Sequence, residues 1–108
     1  FFSLVEYTSS ITDDEFASMP KETALFQNYP NPFNSSTQIT YQIKESGYVV
    51  LKLYNTLGAL VATIVDGQLS ANSYTVNFEG KGLASGVYLY TLEMNGNLVS
   101  TKKMLMVK

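Results

Sequence analysis

The chain has 108 residues, of which 45% are hydrophobic and only 15% charged, with a formal net charge of −2. That is one folded domain with a modest core. His and Cys are both absent and all seven basic residues are Lys, which excludes Ser-His-Asp and Cys-His nucleophiles, zinc and iron–sulfur sites, disulfides and an Arg fork for phosphate.

An acidic balance without Arg argues against a nucleic-acid partner, and no apolar run reaches the roughly 20 residues needed to cross a membrane as a helix. Val, Ile, Thr, Tyr and Phe make up 37 of the 108 residues, the residue types that fit a pleated, half-buried surface. Residues 1–22 carry five acids and one Lys, whereas residues 23–108 carry four acids and six Lys. An acidic lead therefore precedes a mildly basic domain. Because Phe1 is not an initiator Met, the chain reads as a fragment or a processed product.

Residues 1–7, FFSLVEY, read as a strand, the tail of a preceding domain. Residues 8–23 are polar and aperiodic and read as linker, with Phe16 and Met19 packing on the domain C-terminal to them. Thr12 before Asp13, Asp14 and Glu15 has the form of a cap on one short helical turn. The same acids lack the spacing of a calcium loop, and no metal or cofactor is expected.

Residues 24–34, ALFQNYPNPFN, begin as a short strand. Pro30 and Pro32 confine the rest to a sheet edge or a loop, and Phe26, Tyr29 and Phe33 are expected to plug one end of the fold. STQITYQIK, 36–44, alternates with period two, placing Ile39, Tyr41 and Ile43 on one face. YVVLKLYN, 48–55, does the same with Val49, Leu51 and Leu53, so the pair reads as a hairpin about Glu45-Ser46-Gly47. LVATIVDG, 60–67, reads as a strand ending at Asp66-Gly67. SYTVNFEG, 73–80, offers Tyr74, Val76 and Phe78 to the core. GVYLYTLEM, 86–94, and LVSTKKMLMV, 98–107, flank Asn95-Gly96, a strong two-residue hairpin signal.

The total is seven strands in about 85 residues, the pattern of an all-β, seven-stranded antiparallel immunoglobulin-like sandwich. The predicted core is Ile39, Tyr41, Ile43, Val49, Leu51, Leu53, Val76, Phe78, Tyr88, Tyr90, Leu92, Met104 and Met106. Leu83 to Tyr88 has the spacing of a tyrosine corner, in which the hydroxyl returns to backbone a few residues upstream.

Three blocks occur in order: Asn28 to Asn34 (N-Y-P-N-P-F-N), Tyr54-Asn55-x-Leu57-Gly58, and Ser85-Gly86-x-Tyr88 followed by Lys102-Lys103-Met104 and Lys108. With them, residues 24–108 resemble the type A C-terminal sorting domain of the bacterial type IX secretion system. Ser35 departs from that family's usual Pro, which is expected to loosen the turn slightly, and Phe78 stands where many relatives have Trp. The resemblance implies a non-catalytic signal following a cargo domain in the same chain, with residues 1–23 as the end of that domain plus linker. Its implied partners are an outer-membrane type IX translocon and a cell-surface signal peptidase, the cut falling in linker residues 12–23. The implied destination is the cell surface or the medium, through the periplasm.

The sorting-signal candidates are Gly86, Tyr88, Lys102, Lys103, Met104, Met106 and Lys108. A terminal edge strand with an exposed basic pair suits reading by strand addition. Free edges also predict a homodimer formed by exchanging the first or last strand.

Two other readings use the same fold. One is a structural spacer or accessory sandwich of a secreted enzyme, resembling fibronectin type III. The other is a carbohydrate-binding module with Tyr48 and Tyr54 as outward aromatics. The single acids Glu45, Asp66, Glu79 and Glu93 sit at turns and strand ends, which argues against an enzyme.

Overall fold

The computed structural model describes residues 20–108. The strand assigned to residues 1–7, the helical turn after Thr12 and the packing of Phe16 and Met19 all lie outside the described residues. Seven strands form: β1 (Ala24–Leu25), β2 (Ser36–Ile43), β3 (Gly47–Asn55), β4 (Leu60–Leu69), β5 (Asn72–Glu79), β6 (Gly86–Met94) and β7 (Asn97–Met106). They build two antiparallel sheets, one in the order β1-β2-β5 and the other β4-β3-β6-β7. The seven-stranded sandwich expected from the sequence is the fold observed.

Period-two alternation decides which side chains fill the space between the sheets. Ile39, Tyr41 and Ile43 of β2 are buried, as are Val49, Leu51 and Leu53 of β3, Tyr88, Tyr90 and Leu92 of β6, and Met104 and Met106 of β7. Phe78 of β5 and Leu25 of β1 complete that layer with Phe33. At about 25 cal/mol per Å² of apolar surface, each large side chain in such a layer contributes roughly 1.5–3 kcal/mol.

Four expectations need correction. First, β2 and β3 do not form a hairpin. β2 pairs with β1 and β5, while β3 pairs with β4 and β6. Alternation fixes which face of a strand is buried and not which neighbour it bonds. Here residues 44–46 carry the chain from one sheet to the other, so the two apolar faces meet across the core. Second, Asp66-Gly67 is not the end of a strand, because β4 runs on to Leu69 with Gly67 paired to Val49. Third, Val76 is only half-buried, since β5 is an edge strand. Fourth, of the three aromatics expected to plug one end, only Phe33 is buried; Phe26 is 43% and Tyr29 80% exposed.

Two local predictions hold. β6 and β7 pair directly from Met94↔Asn97 onward, and the two residues between them, Asn95 (φ 53°) and Gly96 (φ 85°), take the left-handed conformation that a type I′ turn requires. The Tyr88 hydroxyl donates to the Ala84 carbonyl at 2.6 Å, closing the tyrosine corner.

Candidate functional site

The three sequence blocks converge on one end of the sandwich. Asn55 pairs with Tyr88, Gly86 with Met106, and Phe33 with Met106 by a parallel bridge. The turn after β3 is organised by Asn55, whose Oδ1 accepts the N–H groups of Leu57 and Ala59, each at 3.0 Å. Leu57 projects from it, 91% exposed.

Residues Gln27 to Phe33 run as a strap from β1 along the outer edge of β7. Both X-Pro bonds in it, Tyr29-Pro30 and Asn31-Pro32, are cis. Pro cannot donate to a ladder, so the strap bonds β7 through the residues between and beside its prolines. Phe33 N–H donates to the Leu105 carbonyl and Val107 N–H to the Phe33 carbonyl, both at 2.9 Å. Leu105 N–H donates to Asn31 Oδ1 at 2.9 Å, and Gln27 Nε2 donates to the Lys103 carbonyl at 2.6 Å.

A buried polar lock holds the strap to the core. Asn28 is 2% exposed. Its N–H donates to the Tyr90 hydroxyl oxygen at 2.7 Å, and that hydroxyl donates to the Phe26 carbonyl at 2.8 Å. Asn28 Nδ2 donates to Thr37 Oγ1 at 3.0 Å and to the Pro30 carbonyl at 3.1 Å, while Thr37 Oγ1 donates to the same carbonyl at 2.8 Å. Every member is satisfied, the condition under which a buried polar network stabilises. Burial pushes the Tyr90 phenol up to about 12, with the hydrogen bond from Asn28 acting the other way. Phe33 anchors the far end of the strap, edge-on to Phe78 with centroids 6.5 Å apart. Gly80 lies beneath it, where a Cβ would come within 2.8 Å of Met106 Sδ and 3.2 Å of the Phe33 ring and both side chains would have to shift.

Ser35 joins the strap to β2 with φ 71°. Proline fixes φ near −65°, so this turn is one that the Pro usual at this position cannot adopt.

The sorting-signal candidates divide by exposure. Tyr88, Met104 and Met106 are buried, and Gly86 is half-buried at the start of β6. The expected exposed basic pair is not one: successive strand residues face opposite ways. Lys102, paired with Tyr90, is half-buried, while Lys103, paired with Leu89, is exposed. Lys108 is exposed beyond β7. Between the strap and β7 lies a cleft of about 340 Å³ lined by Gln27, Asn31, Val87, Lys103, Met104 and Leu105. The sequence did not reveal the burial of Asn28 or of Thr37, since Asn28 stands two residues before Pro30 in a stretch that reads as turn chemistry. The burial of Asn28 depends on a tyrosine 62 residues away.

Among the described residues no cluster of three His, Cys, Asp or Glu side chains that could hold a metal occurs. Nor is any helix long and apolar enough to cross a membrane. Tyr48, one of the two aromatics offered as a sugar platform, uses its hydroxyl to donate to Asp66, and Tyr54 is half-buried.

Comparison with known proteins places these features. The model of the secretion system C-terminal sorting domain family matches residues 27–108. No curated protein sequence matches. Dimeric latent PorU from Porphyromonas gingivalis has a similar structure, with a TM-score of 0.64 and 20% identity over 80% of this chain and 9% of that one. A β-glucosidase from Listeria innocua solved with glucose is also similar, with a TM-score of 0.54 and 12% identity over 81% of this chain and 16% of that one. The chain thus spans less than a fifth of either protein, and at these identities the likeness is one of fold.

Proposed function

The chain belongs to the secretion system C-terminal sorting domains, non-catalytic signals that mark proteins for type IX export across the outer membrane to the cell surface or medium; from that premise we propose that residues 24–108 work as one sorting unit and that residues 1–23 are the end of a cargo domain plus linker. The observation that carries this reading is the convergence of all three sequence blocks on one end of the fold, around β7 and its strap.

Within that unit the candidates take two roles. Gly86, Tyr88, Met104 and Met106 hold the last two strands in register. Lys102, Lys103 and Lys108 are what the outer-membrane translocon meets, Lys103 and Lys108 most directly because they are exposed. The unit itself has no catalytic task. A surface peptidase, where one acts, cuts in residues 12–23, whose polar, aperiodic sequence reads as the kind of linker where cleavage concentrates. Any homodimer forms by exchange of β1, because the strap already occupies the end of β7. A solution-scattering radius that stays at the monomer's value as concentration rises rejects that exchange.

The test is export. Residues 8–108 are fused behind a periplasm-directed fluorescent reporter in a host with a working type IX system, beside a twin that stops at Asn97. Fluorescence at the surface or in the medium for the full fusion, lost in the twin, is the expected result. If both stay in the periplasm while a native cargo is exported, the accessory-sandwich reading replaces this one.

A further inference from the structure

Reading of β7 by strand addition requires a run of free outward N–H and C=O groups on its edge. The edge is nearly used up. The strap takes the Lys103 carbonyl, both backbone groups of Leu105 and the Val107 N–H. Nearer the hairpin, Glu93 pairs with Leu98 and Leu92 with Ser100, which leaves Val99 as an extra residue in a bulge, and a bulge bends an edge away from pairing. Between the bulge and the strap only the backbone groups of Thr101 and the Lys103 N–H remain on the edge, too short a run for a ladder. Lifting the strap would strip Phe33, 1% exposed, and Asn28, 2% exposed, from the core.

What the fold offers instead is a surface made jointly by strap and strand. The cleft between them has an apolar floor of Val87, Met104 and Leu105 and an amide wall of Gln27 and Asn31, with Lys103 at its rim. Val87 and Leu105 are paired across β6 and β7, 37% and 36% exposed, so the floor opens on the outer face of the sheet. Among the described residues the sole ion pair joins Lys52 to Glu93 at 3.4 Å, so Lys103 presents its charge to whatever docks. Residues 20–108 carry seven Lys against five acids, and the three Lys of the last seven residues have no acidic side chain among them. The surface is complementary to an acidic side chain set beside an apolar one.

We infer that the secretion machinery reads the closed cleft between the strap and β7, through a segment that places an acidic group on Lys103 and an apolar side chain against Val87 and Leu105, with the strap remaining in place. This rests on the sorting function proposed above and specifies the surface that serves it.

The experiment uses the reporter fusion in three arms. In the first, Lys103→Glu and Leu105→Ser alter the rim and the floor, and Lys103→Arg preserves the charge. Each purified chain is checked for an unchanged urea midpoint, since both side chains reach solvent. Lys103→Glu is expected to lower the exported fraction about tenfold, as a like-charge contact would. Leu105→Ser lowers it less, and Lys103→Arg retains it. In the second arm, Tyr29→Cys/Gln38→Cys tethers the strap covalently to β2. These residues exchange both backbone hydrogen bonds at 2.9 Å, a pairing that sets Cα atoms about 5.5 Å apart, within disulfide reach, and the chain has no other Cys. The tethered fusion is expected to be exported like the parent. The third arm is the parent beside a native cargo.

Parental export from Lys103→Glu and Leu105→Ser together overturns the cleft as the surface read. Retention of the tethered fusion, with export of each single-Cys variant, overturns reading with the strap in place and establishes strand addition. Failure of the parent fusion alone, with the native cargo exported, strikes the sorting function itself.

Discussion

The four-stranded sheet has two edges, and they are closed by different means. β4 protects its edge by geometry: its pairing with β3 shifts register between Leu51 and Lys52 and again between Leu53 and Tyr54, so the strand is bulged twice and unsuited to a flat partner. β7 has one bulge and then a strap, with the Asn28 lock and the Phe33 anchor behind it. A bulge costs one extra residue. The strap occupies seven residues and closes contacts far apart in sequence. An edge whose sole requirement was to avoid aggregation could have used the simpler device, so the strap marks β7 as the edge where shape matters.

Phe33→Ala breaks this contrast hardest. Removing a buried aromatic is expected to cost about 3–5 kcal/mol in urea unfolding. Hydrogen exchange at Leu105 and Val107 is expected to rise more than at β4 amides. A uniform loss of protection would mean the strap has no local role. Asn28→Ala leaves the Thr37 hydroxyl and the Pro30 carbonyl without their amide partner and is expected to cost about 1–3 kcal/mol, again with β7 loosening before β4.

Tyr90→Phe orphans the Asn28 N–H and the Phe26 carbonyl, a loss of about 1–3 kcal/mol. It also carries a pH signature. The folded phenol titrates near 12 and the unfolded one near 10, so the folded state holds its proton longer. Stability is fully present below pH 10 and is lost as pH rises through 10 toward about 12. Denaturant midpoints measured across that window should fall in the parent chain, and Tyr90→Phe should lack the part of the fall that Tyr90 supplies.

The smallest effect falls at Ser35. Ser35→Gly relieves a left-handed conformation and is expected to stabilise by about 1 kcal/mol. Ser35→Pro, the residue usual in the family, is expected to destabilise by at least as much, because φ 71° is closed to it. A neutral Ser35→Pro would show that this loop takes another path.

Much of the fold was legible because the information is local. Alternation located β2, β3 and β6, Asn95-Gly96 announced the two-residue hairpin between β6 and β7, and Tyr88 four residues after Ala84 announced its corner. What failed was non-local. Nothing within residues 44–46 says that the chain leaves one sheet for the other. Phe26 and Tyr29 look as apolar as Phe33, yet Phe33 alone lies over Gly80, where the absence of a Cβ leaves room. Of the candidate site, the residue types around Lys103 were visible, but the cleft beside it was not, because its wall comes from Gln27 and Asn31 more than 70 residues away. The strap stayed hidden because its amides read as turn formers until Tyr90 and Leu105 are brought beside them.

The Asn28–Tyr90 hydrogen bond spans 62 residues, and the Gln27–Lys103 bond spans 76. Contacts this distant are among the slowest to close, since the intervening chain must first be ordered. In synthesis order the strap leaves the ribosome long before β7 exists to receive it. A partial or misfolded chain can display the strap's sequence or the Lys102-Lys103 sequence, but not the cleft between them. The joint surface therefore behaves as a record of completion, present only after the first and last parts of the domain have found each other.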